Sequence, residues 1–183
     1  MCLSLLKNKF HLIILVVSLS AFGANSQSIF GDKIYAGGGI GSDGIEVSSF
    51  RILASANGHV GYKFTDRLSS GLRARYVFDK YRQIDIQFNH FGGGIFTRYS
   101  ITKQFFASTE YEYMTYQLPI AGDFSNTERL GFDSWFIGGG FVQPMGGLLS
   151  FNLIGFYNVL YGDGTNSPYN SPFIVRAGFN YGF

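Results

Sequence analysis

The stretch Phe173-Ile174-Val175-Arg176-Ala177-Gly178-Phe179-Asn180-Tyr181-Gly182-Phe183 decides the fold of this chain. In a strand successive side chains point to opposite faces. Phe173, Val175, Ala177, Phe179, Tyr181 and Phe183 therefore share one face, and Arg176, Gly178, Asn180 and Gly182 share the other. One face suits an apolar environment and the other does not.

The same period recurs towards the N-terminus. Residues 148–161 set Leu149, Phe151, Leu153, Tyr157, Val159 and Tyr161 against Ser150, Asn152 and Asn158. Residues 134–143 align Trp135, Ile137 and Phe141, and residues 105–117 set Phe105, Ala107, Tyr111 and Tyr113 against Ser108, Glu110 and Glu112. Residues 68–79 oppose Leu72, Ala74, Tyr76 and Phe78 to Arg73 and Arg75. Residues 50–64 oppose Ile52, Ala54, Val60, Tyr62 and Phe64 to Ser55, Asn57, His59 and Lys63. With 33–41 and 84–100 the set reaches eight strands, and no stretch beyond Gln27 sustains a helical period. Within 84–100 the apolar parity passes from Ile84, Ile86 and Phe88 to Phe91, Ile95 and Tyr99. A β-bulge at Asn89-His90 is the expected cause, unless the outer half of the segment is loop.

The connections alternate in length. Short turns are expected at Thr65-Asp66-Arg67, Ile101-Thr102-Lys103 and Pro144-Met145-Gly146-Gly147, and longer links at roughly 42–49, 79–83, 118–133 and 162–172. Eight strands with both termini on the short-turn side require three turns and four loops, the arrangement of an up-and-down transmembrane barrel. Most acids fall in or beside the long links: Asp43, Glu46, Asp79, Asp85, Asp123, Glu128, Asp133 and Asp163, against Lys80, Arg82 and Arg129. An acidic outer rim follows.

The N-terminal segment reads as a secretory signal. Lys7 and Lys9 form its basic end, Leu12 to Leu19 its apolar core, and Ala24-Asn25-Ser26 a small-residue cleavage site before Gln27. The apolar run is well short of the about 20 residues a membrane-spanning helix needs. The expected organisation is thus a signal peptide over 1–26 and one barrel domain over 27–183. Removing the signal's two lysines from the 14 basic residues leaves twelve against twelve acids, with no basic patch for nucleic acid. Cys2, the single cysteine, falls in the signal, which excludes disulfides and thiolate metal sites from the mature part. Charged residues are only 14% of the chain and aromatic residues 18%. This balance suits a wall whose outer face meets lipid. The alternation alone also suits a soluble ligand-carrying barrel with its faces reversed.

The signal segment, the eight alternating stretches and the ending Phe179-Asn180-Tyr181-Gly182-Phe183 resemble small outer-membrane β-barrels of the OmpA/OmpX-like type. Gly93-Gly94-Ile95-Phe96-Thr97-Arg98-Tyr99 resembles a strand common in their single-domain members. The resemblance implies residence in the outer membrane among its lipids and lipopolysaccharide. It also implies that Phe179, Tyr181 and Phe183 serve as a signal to the barrel assembly machinery. The resemblance covers the barrel stretch alone, so peptidoglycan binding is not among the expected activities.

Arg73, Arg75, Glu110, Glu112 and Arg176 fall on the polar faces of their strands, and Arg98 joins them if the bulge exists. An eight-stranded barrel is just wide enough to be filled by side chains. These charges are therefore expected to meet as a structural ionic core. Gly-Gly-Gly at 37–39, 92–94 and 138–140 has no following helix to make a phosphate cradle, and reads as strand glycine in a strongly coiled sheet. His59 and His90 lack a serine and an acid at a recognisable spacing, so neither reads as catalytic. No cofactor or metal is expected, because no ligand loop is present. The 118–133 link, with Pro119, Phe124 and Leu130, is the candidate contact surface for an extracellular partner. The reading is a non-enzymatic barrel that supports the membrane or presents its loops. A lipid A-modifying enzyme or a small-solute pore is the alternative.

Overall fold

The computed structural model describes residues 33–40, 45–47, 50–120, 123–162, 169 and 171–182, with side chains for all of these except 40, 45–47 and 123–126. The expected signal segment, its cleavage point and Phe183 lie outside the described residues, as does the side chain of Phe124.

The described residues form nine strand segments: β1 (Ile34–Ile40), β2 (Ile45–Val47), β3 (Arg51–Lys63), β4 (Leu68–Tyr81), β5 (Ile86–Ser100), β6 (Phe105–Ile120), β7 (Asp123–Gly146), β8 (Leu149–Asn158) and β9 (Phe173–Tyr181). From β3 to β9 each strand is antiparallel to the next in sequence. β1 then pairs with both β9 and β3, which closes the sheet on itself. β2 lies against the far end of β3: Gly39 faces Asn57, and Ile45 resumes opposite Ala54. β1 and β2 are therefore one stave interrupted by extra residues. The architecture is a closed, eight-stranded, antiparallel up-and-down barrel.

Parity is uniform inside each stave, and it settles which face points in. Arg73, Arg75, Arg98, Glu110, Glu112 and Arg176 are buried within the barrel, while Val60, Leu72, Ile95, Ile137, Leu153 and Val175 point out and are exposed. A barrel with an apolar interior is thereby excluded. The outward aliphatic residues form a middle band. On the turn side of it stand Phe64, Tyr99, Phe105, Phe179 and Tyr181, and on the opposite side Tyr76, Phe91, Tyr113, Trp135, Tyr157 and Phe173.

β5 differs from expectation. Its ladder with β4 runs from Leu68↔Tyr99 to Tyr81↔Ile86 without a register shift, so there is no bulge at Asn89-His90. Phe88 instead points into the barrel mouth beside His90, and Arg98 faces inward on an uninterrupted parity. An apolar side chain is tolerated inside at this level because Tyr81 and His90 supply ring neighbours.

Three of the expected loops also prove to be partly strand, the 42–49 link through β2. The 79–83 link shrinks to residues 82–85, with Asp85 in the left-handed region at φ 50° and Lys80 Nζ 2.8 Å from its carboxylate. The 118–133 link is the β6–β7 hairpin, paired continuously from Thr115↔Gly131 to Pro119↔Thr127 and again at Ile120↔Asp123. Beyond Thr115 the β5–β6 ladder stops, and before Phe136 β7 has no β8 partner, so the hairpin extends as a two-stranded arm tied to β5 through side chains: Gln117 and Arg129 to Asn89, and Tyr116 stacked on His90. Thr115 to Pro119 are all half-buried and Thr127 to Gly131 all exposed, so no alternation marks it. Pro119 fits because β6 is an edge strand there.

Candidate functional site: the ionic interior

Three glycines make room for the charges. Gly92 faces Arg75, and Gly94 stands between Arg73 on β4 and Glu112 on β6. On β7, Gly138 lies opposite Ser108. Bare backbone at these levels lets long side chains from β4, β6 and β9 cross a lumen about one side chain wide.

The crossing side chains interlock. Glu110 lies 3.0 Å from Arg73 Nε through one carboxylate oxygen and accepts a hydrogen bond from Arg176 through the other. Glu112 accepts from Arg176 at 3.1 Å and from Arg75 at 3.3 Å, and the Tyr169 hydroxyl donates to it as well. Arg75 in turn donates to that same hydroxyl. Arg73 reaches Asn57 at 2.8 Å, and Asn57 donates to the Gly39 carbonyl at 3.0 Å, tying the cluster back to β1. Five of the six charges expected to meet form one network of alternating charge, since an unpaired buried charge is too costly to keep.

Arg98 stands apart. Its guanidinium lies between the rings of Phe96, 5.0 Å away, and Phe106, 5.2 Å away, and no ion pair holds it among the described residues.

Two apolar clusters bound the network. Leu53, Val77 and Met114, with Tyr116 against them, lie on the loop side. Phe106, Phe136, Val142, Ile154, Phe156, Tyr169 and Ile174 form the other. Tyr169 comes from the β8–β9 link, not from a strand. Its ring packs edge-on against Phe136 at 5.5 Å while its hydroxyl joins Glu112 and Arg75, so a loop residue plugs the lumen. No periodicity marks a residue of this kind, and the sequence reading passes over it.

The histidines are placed by neighbours of other kinds. His59 Nε2 lies 2.8 Å from Asn180 Oδ1, and its ring meets Phe96 and Tyr35 edge-on. His90 accepts a hydrogen bond from the Gln117 backbone N–H at 3.1 Å and stacks on Tyr116 with ring centroids 4.6 Å apart. Among the described residues no three His, Cys, Asp or Glu side chains converge as metal ligands.

No protein-family model and no curated protein matches the sequence. Among solved structures the chain is similar to the N-terminal β-barrel domain of Pseudomonas aeruginosa OprF. The match has 12% identity and a TM-score of 0.49, over 81% of this chain and 96% of that one.

At the rim, the expected acidic character is partly cancelled. Asp79 is buried and doubly hydrogen-bonded by Arg51, both contacts at 2.7 Å. Tyr111 donates to Asp133. The hydrogen bond and charge of Lys80 hold the Asp85 carboxyl below its ordinary range. In the expected contact segment, Pro119 and Leu130 sit in the β6–β7 ladder. Phe179 and Tyr181 of the terminal stretch face outward on β9.

Proposed function

We propose that this chain is an integral protein of a bacterial outer membrane, exported by its N-terminal signal. It is a non-enzymatic barrel that reinforces the bilayer and presents the β6–β7 arm to a surface partner. The observation that carries this reading is the outer wall. An aliphatic band of Val60, Leu72, Ile95, Ile137, Leu153 and Val175 lies between two aromatic girdles, around an interior that holds the charges. A soluble barrel would leave this surface in water, where a contiguous apolar patch of such extent is a liability. In a bilayer it matches the apolar core and the amphipathic interfaces. The turn side then faces the periplasm, and Phe179, Tyr181 and Phe183 form the signal read by the barrel assembly machinery.

The packed lumen supports a plug over a pore. The Tyr169–Glu112–Arg75 contacts and the apolar cluster around Phe136 occupy the space an open channel would need. The partners are outer-membrane lipids and lipopolysaccharide. The arm is the candidate contact for adhesion, since its residues from Thr127 to Gly131 are exposed on both faces.

Gel mobility of the outer-membrane fraction, with and without boiling, tests the reading. A closed barrel resists detergent, so a heat-dependent shift is expected. Recovery from the soluble periplasm without a shift would overturn it. Deleting residues 120–131 and finding surface attachment unchanged would remove the adhesive part alone.

A further inference from the structure

We propose that the turn-side half of the barrel interior binds a small monovalent anion of the halide class on Arg98. The proposal uses the interior of the barrel and holds whatever the wall faces.

Arg98 lies two residues from the end of β5, level with Ser69 on β4 and Ser108 on β6. It is 1% exposed, and Nε, Nη1 and Nη2 are all buried without a hydrogen-bond acceptor among the described residues. Phe96 and Phe106 lie against its guanidinium at 5.0 and 5.2 Å. Cation–π contact of this kind offsets part of the loss of water but satisfies none of the N–H donors, which lie in the guanidinium plane. The carboxylates of the interior network are already engaged, Glu110 by Arg73 and Arg176 and Glu112 by Arg75, Arg176 and Tyr169.

Glu110 attracts Arg98 from a distance, but no carboxylate reaches its N–H groups among the described residues. Phe96 meets His59 edge-on at 5.6 Å, His59 meets Tyr35 at 6.2 Å, and the Tyr35 hydroxyl is 3.0 Å from Ser69 Oγ. Asn180, whose Oδ1 is taken by His59, leaves its buried Nδ2 without an acceptor. A buried cation whose N–H donors find no acceptor among the described residues is the complement of an anion. One negative charge neutralises Arg98. A halide has no protons that would need acceptors in return.

The test uses the mature barrel folded in detergent and checked for its heat-dependent mobility, so loss of the fold is read separately from loss of the site. Urea unfolding is followed while sodium bromide replaces sodium gluconate at constant ionic strength. A ligand bound to the folded state alone raises stability as its concentration exceeds the dissociation constant. The expected result is a saturable rise of about 0.5 M in the urea midpoint. Arg98→Met keeps the stem between the two rings and should abolish the increment. Equal responses of wild type and R98M would overturn the proposal and leave water as what solvates Arg98. Should R98M not fold, crystals of the wild type soaked in bromide decide the matter. An anomalous peak within hydrogen-bond distance of the Arg98 guanidinium supports the site, and its absence there overturns it.

Discussion

Gly94 lies directly opposite Glu112 across the β5–β6 ladder, and a Cβ at Gly94 would sit 3.0 Å from the Glu112 Cα and 2.1 Å from the Tyr111 carbonyl oxygen. The glycine is what allows β5 and β6 to approach with Glu112 projecting across the lumen. The clash is with backbone, which cannot swing aside as a side chain end can.

Gly94→Ala is therefore expected to lower stability by about 1–3 kcal/mol, the usual range for overpacking, or to prevent closure. Gly155→Ala is the matched control, since a Cβ there meets nothing within 4 Å. It should be neutral, or stabilising by about 0.4–1 kcal/mol through the unfolded chain. Urea unfolding of the two variants in detergent checks the contrast, and equal effects would remove the role assigned to Gly94.

Glu112 receives Arg75, Arg176 and Tyr169. Glu112→Gln leaves those buried cations short of charge, and a loss of about 3–5 kcal/mol is expected. Adding Arg75→Met should recover part of it, because the second change removes one of the cations left unpaired. A double variant whose loss equals the sum of the two single losses would show that the pair is not coupled.

Parity made most of this legible. Arg73, Glu110 and Arg176 each stand among alternating neighbours, so alternation puts them on one common face, and the low charge and high aromatic content of the chain turn that face inward. The height of each along the barrel is a matter of register, so alternation does not reveal which arginine meets which glutamate. Phe88 misleads because near the mouth the interior accepts an apolar ring, and parity without register reads that as a bulge. The arm misleads for the opposite reason, since neither its half-buried strand, Thr115 to Pro119, nor its exposed strand, Thr127 to Gly131, alternates. Tyr169 enters the lumen from a link, where no period applies.

Tyr169→Phe keeps the ring against Phe136 and removes only the hydroxyl that joins Glu112 and Arg75. A loss of about 1–3 kcal/mol is expected, the cost of leaving buried polar partners unsatisfied. Tyr169→Ala should lose more, because the apolar cluster loses a member too. If the two variants were equally stable, the ring would contribute nothing and the plug would rest on the hydroxyl alone.

The outer wall makes the sharpest prediction. Leu72 is 67% exposed and lies in the aliphatic band, level with Ile95 on β5 and Val60 on β3. In water, Leu72→Arg at so exposed a site should change stability by no more than about 0.5 kcal/mol. Facing the middle of a bilayer, the same guanidinium must reach for the interface or draw water inward, and the cost is about 2–4 kcal/mol. Tyr181→Arg, at the turn-side girdle, should cost only about 0–1 kcal/mol because the interface tolerates charge. Folding of both variants into phospholipid vesicles, followed by denaturant titration, separates the cases by depth. A cost at Leu72 no greater than at Tyr181 would mean that the band does not face lipid, whatever the composition of the wall.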